Sequence, residues 1–313
     1  MNWRTVTEQE SWFSEEDLAW LRRHIYRVPA PAVISFSGGR TSAYMLKHVL
    51  DAHEGALPSG VHVVFANTGK ERQETLDFVR ECAARWRVEI TWVEFDPAAP
   101  DSTRIVNYET ASRDGEPLRA AIDTRPTPHL FNVVSRYCTA TTKMRRISKF
   151  MLRSGYPRWN AVLGIRADEP RRVEKNKARD GRDRQNIYMP LASLGVTNED
   201  VLAWWGEQPF GLQLPTVGGE TIGGNCDLCP LKAKWKILLA MRENPSSAQW
   251  WIDREVEMGE RTKRIARTGA GEDRRARFLK SGVSYAELRQ HALSDAPILK
   301  GRTDESIDCA CTD

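Results

Sequence analysis

The sequence has no long hydrophobic run and few cysteines. No apolar stretch approaches the roughly 18 residues that a membrane-spanning helix requires, and the N-terminal MNWRTVTEQESWFSEED lacks the basic-then-apolar layout of a secretory signal. Six cysteines in 313 residues are too few for a disulfide scaffold. We therefore expect a cytoplasmic protein that has no membrane partner and whose cysteines serve another purpose.

Neither sign of charge dominates the composition. The chain has 46 Lys and Arg against 42 Asp and Glu, and 41% of its residues are hydrophobic, which excludes global disorder and a collagen-like or coiled-coil chain. Basic residues are nevertheless concentrated: residues 136–153 include six of them and no acidic residue, and residues 171–184 include seven against three acidic ones. These segments predict contact with anionic ligands or, as the plainer alternative, a solvated helix face followed by a loop.

Strands and helices alternate in the first hundred residues. Short buried strands are predicted at 32–36, 61–66 and 89–95, and helices at 42–53 and 71–86. Consecutive strands joined by helices require parallel crossovers. The pattern predicts an α/β protein with a doubly wound, mostly parallel, Rossmann-like sheet.

The rest of the domain is less regular. Five prolines between residues 96 and 128 predict an irregular insertion or a lid. A helix is expected at 139–153 and further strands at 159–164 and 188–191, and Thr197 begins a capping box.

We divide the chain into four parts. A helical addition at 1–30 precedes an α/β domain at 31–209, which is followed by an α-helical, cysteine-containing region at 210–300 and a mobile tail at 301–313.

The turn after the first strand is the most specific feature. From Ser37 to Ser42 it reads S-G-G-R-T-S. Adjacent glycines permit the positive φ angles that turn backbone N–H groups inward, and the next helix N-terminus adds partial positive charge, so this turn can bind a phosphate or pyrophosphate. The alternative is an ordinary Gly-Gly turn between a strand and a helix.

This turn resembles the S-G-G-x-x-S signature of the PP-loop ATP pyrophosphatases, the adenine nucleotide α-hydrolase-like superfamily, and specifically their phosphoadenylyl-sulfate (PAPS) reductase branch. Segments 65–71 (F-A-N-T-G-K-E) and 164–169 (G-I-R-A-D-E) resemble two further segments of the family. Two positions depart from its commonest form, S-G-G-K-D-S: Arg40 replaces the lysine with a cation of different geometry, and Thr41 removes a carboxylate.

The resemblance implies a site for ATP with Mg²⁺. Its nucleotide-binding residues are expected to be Ser35, Ser37, Gly38, Gly39, Arg40, Thr41, Ser42, Asn67, Thr68 and Gly164. The turn would grip the β,γ-phosphates while an acceptor attacks the α-phosphorus, with Lys70 and Arg166 offsetting the charge on the departing pyrophosphate. The same pocket equally fits the sulfate end of an adenylyl sulfate.

Three cysteines have the spacing of soft metal ligands. Cys226 and Cys229 form C-D-L-C, and Cys138 is a distant third ligand that would clamp their loop to the α/β domain. Zinc and iron–sulfur both fit, as do unligated buried thiols. The adenylyl-sulfate reductases of the resembling family hold a 4Fe–4S cluster with two adjacent cysteines followed by C-x-x-C. One adjacent cysteine is missing here, which implies an open iron, as in related tRNA and DNA sulfur-transfer enzymes, or a fourth ligand from elsewhere.

The last two cysteines lie in an acidic tail. Cys309 and Cys311 loosely resemble the C-terminal catalytic cysteine of sulfonucleotide reductases, although the usual motif around it is missing. The alternative is a disordered terminus with two incidental thiols.

Three functions are open. The first is an ATP-dependent, adenylylating, iron–sulfur enzyme that transfers sulfur to tRNA, DNA or a nucleoside-like acceptor. The second is a sulfonucleotide reductase that uses a C-terminal cysteine, and the third is a non-catalytic nucleotide-binding protein. The expected partners are an adenine nucleotide, the acceptor, and a sulfur donor or thiol reductant protein, with a homodimer left open.

Overall fold

The computed structural model describes residues 14–265 and 274–299. Its strands are β1 (Ala32–Phe36), β2 (Val61–Ala66), β3 (Ile90–Phe95), β4 (Thr103–Val106), β5 (Trp159–Leu163), β6 (Gln185–Tyr188), β7 (Thr216–Val217) and β8 (Glu220–Thr221). Its α-helices are α1 (Glu15–Tyr26), α2 (Arg40–Ala52), α3 (Gln73–Trp86), α4 (Glu116–Asp123), α5 (Arg145–Arg153), α6 (Pro170–Lys177), α7 (Pro190–Ser193), α8 (Asn198–Gly206), α9 (Lys234–Glu243), α10 (Gln249–Ile265) and α11 (Tyr285–Leu293). Within these two ranges, no helix is long and apolar enough to cross a membrane.

Six strands form one sheet in the order β4-β3-β2-β1-β5-β6. The pairs from β3 to β6 are parallel, and β4 alone runs antiparallel to its neighbour β3. From β1 the chain winds through β2 and β3 toward one edge, and it later adds β5 and β6 on the other side of β1. The predicted doubly wound, mostly parallel α/β fold is confirmed.

The central strands are apolar on both faces because helices cover both faces of the sheet. Side chains alternate between the faces along β1. Ile34 packs into the core that contains Leu46 of α2, whereas Val33 packs into the core that contains Met151 of α5. Both strand residues are buried, so the strand that leads into the glycine turn is fixed from both sides.

The segment at 96–128 differs from the prediction of an irregular insertion. It contains β4 and α4. Pro117 lies in the first turn of α4. Backbone N–H groups in a first turn have no intrahelical acceptor, so a proline, which lacks an N–H, is compatible with the helix there.

Two further predictions need adjustment. The helix predicted at 139–153 opens with a π-helical turn at Thr139–Met144 and becomes α-helical only in α5. The strand predicted at 188–191 lies earlier, at β6, because Pro190 begins the helical turn α7. The capping box at Thr197 is present at the start of α8.

The residues after 210 build a second core. Leu228, Trp251 and Tyr285 are completely buried there, together with Leu118 of α4. Because α4 belongs to the α/β half, this shared core attaches α9, α10 and α11 to the sheet. The boundary at 209/210 stays a prediction, and the hairpin of β7 and β8 adds a strand pair to a region expected to be helical.

Candidate functional site

The sheet order creates a crevice at the carboxyl ends of β1 and β5. These two strands are neighbours, yet the chain leaves them toward opposite edges of the sheet. In doubly wound sheets, ligands bind at this switch point, because the loops after the two strands diverge and leave space between them. The S-G-G turn follows β1, and Gly164 follows β5.

The turn is held in a tight conformation by its own hydroxyl groups. Gly38 has φ +82°, and a Cβ atom there would lie 2.7 Å from Thr75 Cγ2, so only glycine fits. The Ser37 and Ser42 hydroxyl oxygens are 2.9 Å apart, and Ser42 donates to the Gly39 carbonyl at 3.0 Å. Gly38 thus has the predicted positive φ, whereas the adjacent Gly39 does not, with φ −103°.

The turn opens directly into α2. The N-cap of this helix is Gly39, which has no side chain to cap the first N–H groups. Such an N-terminus carries partial positive charge and free donors, which suit an anion. The turn is also close to the strand beside it, since a Cβ on Gly164 would lie 3.2 Å from Ser42 Cα.

A cavity adjoins the turn and combines apolar walls with several cations. Apolar side chains such as Ile147 and Leu163 form part of the wall. The polar lining includes Ser35, Ser37, Ser42, Lys143, Arg172 and Arg179. An apolar wall with convergent cationic and hydroxyl groups matches a nucleotide, which has a flat base at one end and phosphates at the other.

Several residues predicted to bind nucleotide face other parts of the molecule. Arg40 donates to the Leu212 carbonyl at 2.8 Å, and the Thr41 hydroxyl accepts from Arg166 at 3.0 Å. Asn67 donates to Glu94, away from the cavity. Of the ten residues predicted, Ser35, Ser37, Ser42 and Gly164 line the cavity.

The two cations proposed for catalysis are separated. The Arg166 guanidinium lies at the start of α2, where its Nε also donates to Asp168 at 2.9 Å. Lys70 instead forms an ion pair with Asp227, 3.0 Å away, in a different cleft. The structure therefore brings Arg166 near the turn. Lys70 lies instead beside residues 226–229, which we call the cysteine loop.

The sequence signal for the cations that line the cavity is the pair of basic segments, which does not single out individual side chains. Lys143, Arg172 and Arg179 all belong to the two basic segments noted in the sequence. Residue counting predicts that those segments meet an anion, but it does not tell which side chains turn inward. Arg172 is buried and paired with Glu169, whereas its neighbour Arg171 is exposed.

Cys138, Cys226 and Cys229 share one buried cluster. The Cys226 sulfur lies 3.2 Å from the Thr68 hydroxyl oxygen, and the backbone of Cys226 forms an antiparallel bridge with Glu71. Burial, helped by the Glu71 carboxylate, raises the pKa of the Cys226 thiol well above its usual range. Thr68, which was predicted to bind nucleotide, therefore contacts the loop that carries Cys226.

The metal prediction is only partly matched by this arrangement. Within residues 14–265 and 274–299, no three His, Cys, Asp or Glu side chains are arranged to hold a metal ion. The described side chains thus bring the three thiols into one cluster but do not by themselves form a metal site. Cys309 and Cys311 lie outside the described residues.

Comparison with known proteins identifies the family. The family model described as the phosphoadenosine phosphosulfate reductase domain matches residues 31–208. The uncharacterized nin region protein ORF290 of Escherichia phage lambda is 34% identical over 223 residues, which cover 67% of this chain and 69% of that protein.

Two solved structures are similar at low identity. The U34-tRNA thiolase NcsA from Methanococcus maripaludis, with its 4Fe–4S cluster, gives a TM-score of 0.41 at 11% identity over 81% of both chains. A PAPS reductase from Candida auris, in a phosphate complex, gives a TM-score of 0.37 at 16% identity over 67% of this chain and 98% of that one.

The switch-point crevice and its glycine turn define a doubly wound α/β protein with a fold of the nucleotide-binding type. The family match extends over more than half of the chain, so the protein belongs to the phosphoadenosine phosphosulfate reductase family, whose members are enzymes that bind adenine nucleotides. The resemblance inferred from the turn is confirmed.

Proposed function

We propose that this protein uses ATP to activate an acceptor for sulfur transfer. The observation that carries this proposal is the cavity between β1 and β5, where Ser37 and Ser42 of the glycine turn meet Lys143, Arg172 and Arg179. This group of hydroxyls and cations supports binding of a polyphosphate, and the apolar walls support binding of the adenine ring.

In the proposed reaction, an acceptor oxygen or nitrogen attacks the α-phosphorus of ATP. The bond between the α-phosphorus and its bridging oxygen breaks, and pyrophosphate leaves while AMP stays on the acceptor. Serine hydroxyls and the N-terminus of α2 hold the phosphates. The three cavity cations offset the negative charge that grows on the bridging oxygen, and Mg²⁺ enters with ATP.

A nucleic acid or nucleoside-like acceptor is favoured by the rim of the cavity. Residues 171–184 continue the cationic lining outward, and Arg171, Lys175, Arg182 and Arg184 are exposed there. Exposed cations beside a nucleotide site support an acceptor that carries phosphates. The nature of this acceptor stays a proposal.

One observation favours a second function, sulfonucleotide reduction. Thr41 supplies no carboxylate for Mg²⁺, and it bonds to Arg166. An anion site without a magnesium ligand suits the sulfate of an adenylyl sulfate. A cysteine thiolate would attack the sulfur and displace AMP, which leaves an S-sulfocysteine. One thiol of an external dithiol would then attack the cysteine sulfur and displace sulfite, and the second thiol would release the cysteine and close a disulfide in the reductant.

The products distinguish the two functions. Protein purified without oxygen is incubated with ATP and candidate acceptors, or with an adenylyl sulfate, while pyrophosphate and sulfite are measured. We expect pyrophosphate release that Ser37→Ala/Ser42→Ala abolishes and that Ser154→Ala, which removes a hydroxyl at the end of α5, leaves unchanged. Sulfite without pyrophosphate would establish the second function, and neither product would refute both.

A further inference from the structure

Arg40 occupies the lysine position of the commonest family turn, but its side chain leaves the turn. Its Nη1 donates to the hydroxyls of Thr216 at 3.2 Å and Thr221 at 3.0 Å, and its Nη2 donates to the Leu212 carbonyl at 2.8 Å. One guanidinium at the first position of α2 thus binds three points of a segment more than 170 positions later in the chain.

We call residues 212–222 the strap. Its only regular structure is the hairpin of β7 and β8, two residues each, and a two-stranded hairpin this short is not stable by itself. Inside the strap, the Ile222 N–H donates to the Pro215 carbonyl at 2.7 Å. Outside it, Glu220 of the strap pairs with Lys236 of α9 at 2.6 Å. The strap therefore depends on contacts with the rest of the molecule for its position.

We propose that Arg40 is a positioning residue that fastens the strap across the phosphate end of the nucleotide site, so that the strap retains the β- and γ-phosphates. The proposal rests on the proposed function, because it assumes an ATP molecule in the glycine turn. It goes beyond that function by giving a role to the strap and a reason for arginine at this position.

The chemistry of the side chain explains the choice of residue. Arginine presents several donors in a rigid plane and can bind acceptors on both strands and on the preceding loop at once. A lysine ammonium is a single point on a flexible stem and does not reproduce this fork. The Arg40 carbonyl also accepts from Trp205 Nε1 at 2.9 Å, so the start of α2 is held while its side chain holds the strap.

The proposal predicts different effects on the affinities for ATP and for AMP. The strap is tied at the N-terminus of α2, next to the turn that binds phosphates. Loosening the strap should therefore weaken ligands that extend beyond the α-phosphate and should spare AMP. General damage to the fold would weaken ATP and AMP alike.

The experiment changes each side of the contact between Arg40 and the strap, which we call the clasp. Arg40→Lys keeps the charge and removes the fork, and Thr216→Val/Thr221→Val removes two acceptors with little change in shape. Arg289→Lys, which alters a guanidinium of α11 that donates to Gln249 of α10, is the matched control. Hydrogen–deuterium exchange of residues 212–222 and the dissociation constants of ATP and AMP are measured for each protein.

We expect strap exchange to rise and ATP affinity to fall by about tenfold in both clasp variants, which is the equivalent of one lost charged hydrogen bond, with AMP affinity unchanged. Combining the substitutions should add little, because Arg40→Lys already removes the hydrogen bonds that Thr216 and Thr221 accept. Unchanged strap exchange would refute the clasp. Faster exchange with unchanged ATP affinity would refute its role toward phosphate.

The two proposals fail separately. If the wild-type protein binds neither ATP nor AMP, the proposed function fails. The exchange measurement then still decides whether Arg40 holds the strap, because it requires no ligand.

Discussion

Lys143 and Glu71 form a buried ion pair, with Lys143 Nζ 3.5 Å from Glu71 Oε1 and side chains that are 6% and 1% exposed. The other Glu71 oxygen accepts from the Thr68 N–H and hydroxyl, both at 2.8 Å. Lys143 lines the cavity beside the glycine turn, and Glu71 bridges to the backbone of Cys226. This pair therefore joins that cavity to the cysteine loop.

Removing one partner of this pair should be strongly destabilising. Lys143→Met leaves the Glu71 carboxylate buried without its cation, so we expect the free energy of unfolding to fall by about 3–5 kcal/mol. Urea unfolding followed by circular dichroism measures it. Lys143→Met/Glu71→Gln should recover part of the loss, because the buried charge is gone. A double variant whose loss equals the sum of the two single losses would contradict the coupling.

The glycine turn offers a matched pair of substitutions. Gly38 and Gly55 both have positive φ, +82° and +87°, but a Cβ on Gly38 would meet Thr75 while one on Gly55 would meet nothing within 4 Å. Gly38→Ala should therefore destabilise the protein by about 1–3 kcal/mol more than Gly55→Ala.

Nucleotide binding completes that comparison. We expect Gly38→Ala to lower ATP affinity at least about tenfold, since its backbone must shift beside the phosphate site, and Gly55→Ala to bind normally. Equilibrium dialysis measures both. Equal affinities in the two variants would mean that the turn does not hold the nucleotide.

Stability should fall as the pH rises from about 4.5 to about 7. Burial raises the pKa of Glu255 to about 7, even though the N–H groups of Phe278 and Tyr285 donate to its carboxylate. A carboxyl group with a raised folded-state pKa stabilises the fold fully below its unfolded value of 4.5 and loses that contribution as the pH rises through about 7.

The urea midpoint, measured from about pH 4.5 to 8, tests this behaviour. Glu255→Gln should flatten the decline because it has no proton to lose. Glu260→Gln, which changes an exposed residue of the same helix, should follow the wild-type profile. A wild-type profile that stays flat across this range would contradict the assignment to Glu255.

The metal prediction from the cysteine spacing has a direct test. Iron, sulfide and zinc are measured in protein purified without oxygen. The prediction expects a metal that Cys226→Ser loses and that Cys82→Ser retains, because Cys82 lies on α3 and is buried in the other core. Metal-free wild-type protein would refute both the cluster and the zinc alternative.

Local signals in the sequence anticipated much of the fold. Strands β1 and β2 match their predicted ranges because continuous apolar runs of this length are typical of parallel strands covered on both faces. The capping box at Thr197 was readable because its two hydrogen bonds join residues three positions apart. In contrast, the sequence does not reveal α4, because a proline such as Pro117 is as typical of an irregular segment as of the first turn of a helix.

The sequence by itself determined the alternation of strands and helices, the glycine turn and, through them, the nucleotide-binding class of the protein, because these features depend on short-range periodicity and backbone freedom. Only the tertiary structure decided which cations line the cavity. Lys143, Arg172 and Arg179 line it, whereas Arg40 binds the strap and Lys70 pairs with Asp227. The partner of a long charged side chain depends on which distant segments the fold brings within a few ångströms, and residue spacing along the chain does not encode that proximity.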